Sequence, residues 1–128
     1  MHKMFLIIGT ILAGLAVALG AFGAHGLKKI VDADTVAIYQ TGVQYQMYHA
    51  LALLAVGILA DRVQNGIINY AGFLFIAGIV FFSGSLYLIA SLKAMNKEIS
   101  TGVGLMTPVG GMLFICGWIL LLFALLKK

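Results

Sequence analysis

Four apolar runs, residues 4–22, 43–61, 67–92 and 107–126, occupy most of this 128-residue chain. The hydrocarbon core of a bilayer asks for about 20 mostly apolar residues per helical crossing, and each run meets or approaches that length. With 62% hydrophobic and only 9% charged residues, such a chain would precipitate from water. The expected architecture is therefore all-α: an integral membrane four-helix bundle, with residues 1–128 forming a single transmembrane domain. Little chain remains for an extramembrane catalytic module, so any activity has to sit inside the bundle or at its rims.

The sixteen glycines fall largely inside the apolar runs, where small residues let helix backbones approach closely. Ala16, Gly20 and Ala24, four residues apart, form one such packing groove, and Gly110 and Gly111 mark another on the last helix. A single cysteine, Cys116, excludes an intramolecular disulfide and leaves no basis for a thiol relay. The net charge of +4 sits in short segments at Lys3, Lys28, Lys29, Arg62, Lys93, Lys97, Lys127 and Lys128. Basic residues flanking membrane helices contact anionic headgroups; nucleic-acid binding would need a basic water-exposed face instead. The first run resembles a secretory signal, but at about 19 residues it exceeds a usual signal core. It is expected to be the first membrane helix.

The connections can be placed from local chemistry. Helix one is expected to end in the segment Gly20 to Gly26, whose glycines weaken a helix and offer positive-φ positions for a turn. Asp34 or Thr35 is the expected N-cap of helix two. Arg62 to Gly66 is a tight connection that forces helices two and three antiparallel. Helix three is long enough to tilt or protrude. A loop from Lys93 to Met106 then leads to Thr107-Pro108, which reads as a helix start, with Thr as cap and Pro at the first helical position. Four crossings put both termini on one side. The Lys and Arg count is tied between the two sides under the positive-inside rule, and acidic residues with the free amine tilt the termini toward the cytoplasm.

Strictly apolar sequence in helix two begins only near Ala50. A full crossing must therefore draw Gln44, Tyr45, Gln46, Tyr48 and His49 to headgroup level or deeper. Helical spacing sets Gln40, Gln44 and Tyr48 in one row and Thr41, Tyr45 and His49 in the next. This stripe either lines an aqueous path or is an interfacial segment of the kind where tyrosine is enriched. An ionisable group inside a membrane segment invites a functional reading with a named partner, and for His49 the candidates are Tyr45, Tyr87, Ser83 and Ser85. Its bland alternative is a neutral imidazole in an interhelical hydrogen bond. His25, in the glycine segment, is read either as a ligand or headgroup contact or as a residue tying down the turn. The two histidines alone make a poor metal or haem site, since no further His, Cys or carboxylate is spaced to complete one. All four acids, Asp32, Asp34, Asp61 and Glu98, fall in loops or at helix ends. No nucleophile elbow, phosphate loop or catalytic triad is present, so no catalytic residue, cofactor or metal is assigned.

The runs Gly20-Ala-Phe-Gly-Ala-His-Gly26-Leu27, Tyr45-Gln-Met-Tyr-His49-Ala-Leu-Ala-Leu-Leu54, Ser83-Gly-Ser-Leu-Tyr87 and Thr107-Pro-Val-Gly-Gly111 resemble a family of small four-span bacterial membrane proteins of unknown function. That family is typified by YwdK and YgdD and has eukaryotic relatives. The resemblance covers essentially the whole chain and implies a helical bundle in the bacterial plasma membrane. It implies no reaction. The expectation is a non-enzymatic membrane protein, oligomeric or partnered with another membrane protein, that acts in membrane organisation, partner association or lipid interaction. The alternative is a small oligomeric transporter or channel subunit lined by Gln44, Tyr45, Tyr48 and His49.

Overall fold

The architecture was obtained as a computed structural model and is described for residues 2–127; the basic residue Lys128 lies outside that range. In order the chain forms α1 (Lys3–His25), a 3-10 turn (Leu27–Lys29), α2 (Ala33–Leu59), α3 (Ile67–Gly78), a π-helical turn (Ile79–Ser83), α4 (Gly84–Ala94) and α5 (Thr101–Leu126). The segments α3, π turn and α4 run on as one rod, so four rods are long and apolar enough to cross a membrane. Charged side chains gather at the ends of the rods. Lys28, Lys29, Asp32, Lys93 and Lys97 lie at one end, and Lys3, Asp61, Arg62 and Lys127 at the other. Between them the outward faces carry Ile7, Ile11, Leu15, Val109, Met112 and Ile119, all exposed. Such a surface is at home only in hydrocarbon.

The core divides by depth. Near the end that carries the chain termini, Phe5, Leu53, Val56, Ile68, Phe75, Phe114 and Leu121 interlock. A smaller cluster of Leu27, Tyr39 and Ala90 closes the opposite end. Helix α2 is the most enclosed of the four rods, with α1 on one side and the α3–α4 rod on the other. The α3–α4 rod in turn carries α5.

Gly110 sets how close α5 comes. A Cβ there would lie 2.6 Å from the Phe82 Cα, so α5 rests directly on the backbone of the π turn. At Gly111 the same added atom would find Phe82 only at 3.9 Å, ordinary contact distance.

Three local expectations change in the structure. The cap of α2 is Asp32, not Asp34 or Thr35: its carboxylate accepts the Thr35 amide at 3.0 Å and also the Thr35 hydroxyl. Helix two therefore starts well before the apolar run at 43–61. The start of α5 is likewise earlier than Thr107, at Thr101, with the Ser100 hydroxyl accepting from the Val103 amide at 3.3 Å. Pro108 sits inside the helix, where both it and Gly104, four residues before it, are exposed near the bundle end. The carbonyl freed by proline meets headgroups and water there, which removes much of the usual penalty. Finally, α1 continues helical to His25, and no glycine among the described residues has positive φ. Gly23 serves packing instead, since a Cβ there would strike Tyr39 and Gln40 of α2. The residue in the left-handed region is Asn96, at φ 56°.

Two outcomes follow from this geometry. Gly110→Ala forces the π-turn backbone away and is expected to cost about 1–3 kcal/mol, whereas Gly111→Ala is neutral; thermal unfolding in detergent separates them. The Thr35 hydroxyl and amide hold the Asp32 carboxyl below the usual carboxylate range. A depressed folded-state pKa means the cap's stabilisation is complete above the unfolded value near 4. It fades as pH falls through the folded value. Amide exchange in the first turn of α2, corrected for intrinsic rates, should accelerate selectively on acidification below about pH 4, and this pH dependence should vanish in Asp32→Asn.

Candidate functional site

The inward face of α2 repeats at alternating intervals of four and three residues: Thr35, Tyr39, Gly42, Gln46, His49, Leu53 and Val56 are all buried. That spacing keeps one stripe turned toward neighbouring helices. The stripe is polar through its centre, and in hydrocarbon a polar atom without a partner is costly. Each of its polar side chains is engaged.

Gln46, 2% exposed, joins three helices. Its amide nitrogen donates to the Leu12 carbonyl of α1 at 2.8 Å, and its amide oxygen accepts from the Tyr87 hydroxyl of α4 at 2.6 Å. One helical turn earlier, the Ser83 hydroxyl of the π turn donates to the Gly42 carbonyl at 2.6 Å. Gly42 permits that approach because a Cβ there would press on Tyr87 at 3.0 Å. Nearer the bundle end the Tyr39 hydroxyl donates to the Leu19 carbonyl at 2.7 Å.

His49, 5% exposed, is held from two sides. Its Nε2 faces the Trp118 Nε1 of α5 at 3.0 Å, and its Nδ1 lies 2.8 Å from the Tyr45 carbonyl. An indole nitrogen only donates, so Nε2 must accept and the proton resides on Nδ1, donating to the carbonyl. The hydrogen-bond network thus assigns one neutral tautomer. The imidazole also stacks on Phe114 at a centroid distance of 3.6 Å and an interplanar angle of 11°, with Phe75 tilted at 5.5 Å. Aromatic stacking and two hydrogen bonds fix this ring in place.

A second polar cluster surrounds the π turn. The Ser85 hydroxyl donates to the Phe82 carbonyl at 2.8 Å and lies 2.5 Å from the Thr107 hydroxyl of α5. A π turn disturbs the regular carbonyl ladder, and Ser83 and Ser85 supply side-chain bonds at that disturbance.

The residues singled out from the sequence separate into distinct groups. Ser83, Ser85, Tyr87 and His49 belong to the buried network, but His49 pairs with Trp118 and the Tyr45 backbone rather than with the Tyr87 or serine hydroxyls. Gln44 and Tyr48 turn outward, Tyr48 being 55% exposed. Tyr45, 38% exposed, lies at the rim between the two faces, its ring near-parallel to His49 at 6.2 Å and 4.7 Å from Phe82, so Gln44 and Tyr48 do not share an interior surface with His49. His25 is exposed in the last turn of α1 and is not drawn to His49. Ala16 is buried, Gly20 packs on Val43 while its carbonyl receives the Gln40 amide at 3.4 Å, and Ala24 is exposed. The groove on α1 is thus filled by α2 at its first two positions.

Sequence reasoning drew Gln46 to membrane depth without placing it in the candidate site, and it passed over Trp118. The signal for Gln46 was its place three to four residues from Gly42, His49 and Ala50, on the row that continues to Leu53. Trp118 lies on a distant helix, and nothing local announces its partner.

Cavities among the described residues open at both bundle ends and on the outer surface. One of about 430 Å³ is lined by Ile30, Asp32, Thr35, Lys93, Asn96 and Lys97 at one bundle end, and one of about 300 Å³ by Arg62, Gln64, Asn65 and Lys127 at the other. A shallow apolar one of about 250 Å³ is bounded by Phe81, Leu105 and Val109 on the outer surface. His49 and Gln46 line none of the three.

The strength of the central bond can be read directly. Tyr87→Phe and Gln46→Leu each leave a buried partner unsatisfied, at about 1–3 kcal/mol. The double variant is expected to cost less than the sum of the singles, with a coupling of about 0.5–2 kcal/mol in a double-mutant cycle of unfolding in detergent.

Residues 19–111 match the family described as "Protein of unknown function (DUF423)". The UPF0382 membrane protein YwdK of Bacillus subtilis is 48% identical over 126 residues, covering 98% of each chain. UPF0382 membrane proteins of Staphylococcus saprophyticus (SSP2132) and Staphylococcus aureus (SAB0533) are each 42% identical over 125 residues, covering 98% of this chain and 98% and 97% of theirs respectively. No solved structure matches. With near-complete coverage at this identity, an apolar four-rod architecture and relatives named as membrane proteins, the chain belongs to the DUF423 family of membrane proteins of unknown function.

Proposed function

We propose that this protein is a non-enzymatic component of the bacterial cell membrane that acts by association within the bilayer, with lipids and with membrane-protein partners, its own copies included. One observation carries the reading: the polar groups at the centre of the bundle are consumed in holding its helices together. Gln46, Tyr87, Ser83, Ser85 and His49 each have a partner inside the chain. A transport path needs such groups free to exchange bonds with a passing solute. Here His49 has its acceptor nitrogen covered by Trp118 and its donor committed to a carbonyl.

What remains available is the surface. The cavity at Asp32, Lys93 and Lys97 combines carboxylate and ammonium groups at headgroup depth, a setting suited to lipid contact. The outward aromatic groups Tyr45, Tyr48 and Trp118 meet whatever surrounds the bundle. In this reading both termini are cytoplasmic, so the end bearing Lys97 faces outward from the cell.

Single-cysteine labelling in a Cys116→Ser background tests these points together. Ser83→Cys, a near-isosteric change at a fully buried site, should resist a water-soluble maleimide from either face. Lys97→Cys should label in intact cells, and Gln64→Cys only after permeabilisation. His49→Asn should retain the folded bundle. Labelling of Ser83→Cys at a rate comparable to Lys97→Cys would overturn the association reading in favour of a hydrated path, and inverted labelling of the two ends would reverse the orientation.

A further inference from the structure

The exposed faces of α1 and α5 at mid-rod are built from large apolar side chains such as Ile11, Leu15, Met112 and Ile119. Helix α2 departs from this. Its outward stripe of Ala37, Gln44, Tyr48, Leu51, Ala55 and Ile58 is exposed, and two polar side chains stand at its centre. Gln44 and the Tyr48 hydroxyl make no hydrogen bond among the described residues, whereas the neighbouring Thr41 hydroxyl is already bonded to the Ala37 carbonyl at 3.0 Å.

Depth makes this costly. At 1.5 Å per residue α2 is about 40 Å long, and Gln44 and Tyr48 lie about 16 and 22 Å from its start. They are near the middle of a rod that has Asp34 in its first turn and Asp61 just beyond its last. Hydrocarbon supplies no partner for a carboxamide there.

Resting on the association reading above, we infer that the Gln44–Tyr48 face of α2 is the contact surface of a symmetric dimer, its occupant a second copy of this chain. Two features single out that occupant. Copies inserted in one orientation are related by an axis along the membrane normal, so each position on α2 meets its own equivalent. A carboxamide carries both donor and acceptor, so two Gln44 side chains satisfy each other, as a purely donating or accepting group would not. The stripe also follows the alternating four-and-three spacing that keeps one seam facing a partner over the length of a rod. Leu51, Ala55 and Ile58 continue the seam as apolar packing surface. A polar glutamine at one seam position sets the register of the pair.

The test uses the full chain reconstituted in dilute lipid vesicles. In a Cys116→Ser background, Gln44→Cys should form an interchain disulfide on oxidation, while Ile11→Cys on the outward face of α1 should not. Measured by fluorescence transfer between labelled copies, Gln44→Leu should weaken dimerisation roughly 3- to 30-fold, the effect of losing an intramembrane hydrogen bond. Gln44→Asn should retain most of it, and helicity should be unchanged in both. Self-association that is indifferent to Gln44→Leu and does not cross-link at position 44 overturns this interface while leaving the association reading standing. A wild-type chain that is monomeric on dilution overturns the dimer, and the shielding of Ser83→Cys then still reports separately on the general function.

Discussion

Hydrocarbon offers no hydrogen bonds, so a polar atom placed in it is satisfied by the protein or not at all. This constraint is concentrated on helix α2, whose inward stripe carries Tyr39, Gln46 and His49 through the depth of the bundle. Each side chain finds a partner on a neighbouring helix, and together they reach all the other rods: Tyr39 on α1, Gln46 on α1 and α4, His49 on α5. Apolar packing alone discriminates poorly between helix faces in lipid, because tails and leucines are equally greasy. The polar bonds supply the discrimination. They fix which faces meet and at what register, and the glycines at 42 and 110 then allow the backbones to come close enough for the bonds to form.

His49 illustrates how such a constraint determines chemistry. Trp118 can only donate, and that one fact propagates through the imidazole to the Tyr45 carbonyl. A ring so held is a structural link between α2 and α5. Stacking against Phe114 closes its face as well. An ionisable residue within a membrane helix usually prompts a search for a proton path. In this chain Trp118 and the Tyr45 carbonyl occupy both ring nitrogens, and Phe114 covers one face of the ring.

Much of the fold was legible in the sequence because bilayer thickness imposes a length that apolar runs must match. Helix ends were less so. At α2 two aspartates lie two residues apart, and the one that caps, Asp32, was distinguished only by the Thr35 amide and hydroxyl coming within its reach. At α5, Thr107-Pro108 has every local mark of a helix start, but Ser100 offers the same capping chemistry earlier, and proline near an exposed bundle end costs too little to stop the helix. The buried network was half legible. Ser83, Ser85, Tyr87 and His49 stood out as polar residues in apolar runs. Their pairing depended on the rotation of each helix, which local spacing fixes only to within a row, so the turn from Gln44 to His49 read as one polar stripe. It is two faces: Gln46 and His49 point inward, Gln44 and Tyr48 outward.

The π-helical turn at Ile79–Ser83 has a topological effect out of proportion to its size. Inserting one residue advances a helix by about 100° without lengthening it much. Below the insertion the third rod packs mainly against the last helix; beyond it, Leu86 and Tyr87 of the same rod lie against Gly42 on the second. A single straight helix presents each neighbour with one continuous strip. Breaking its phase lets one segment serve two masters in succession, so that four short rods close around a common centre without a fifth.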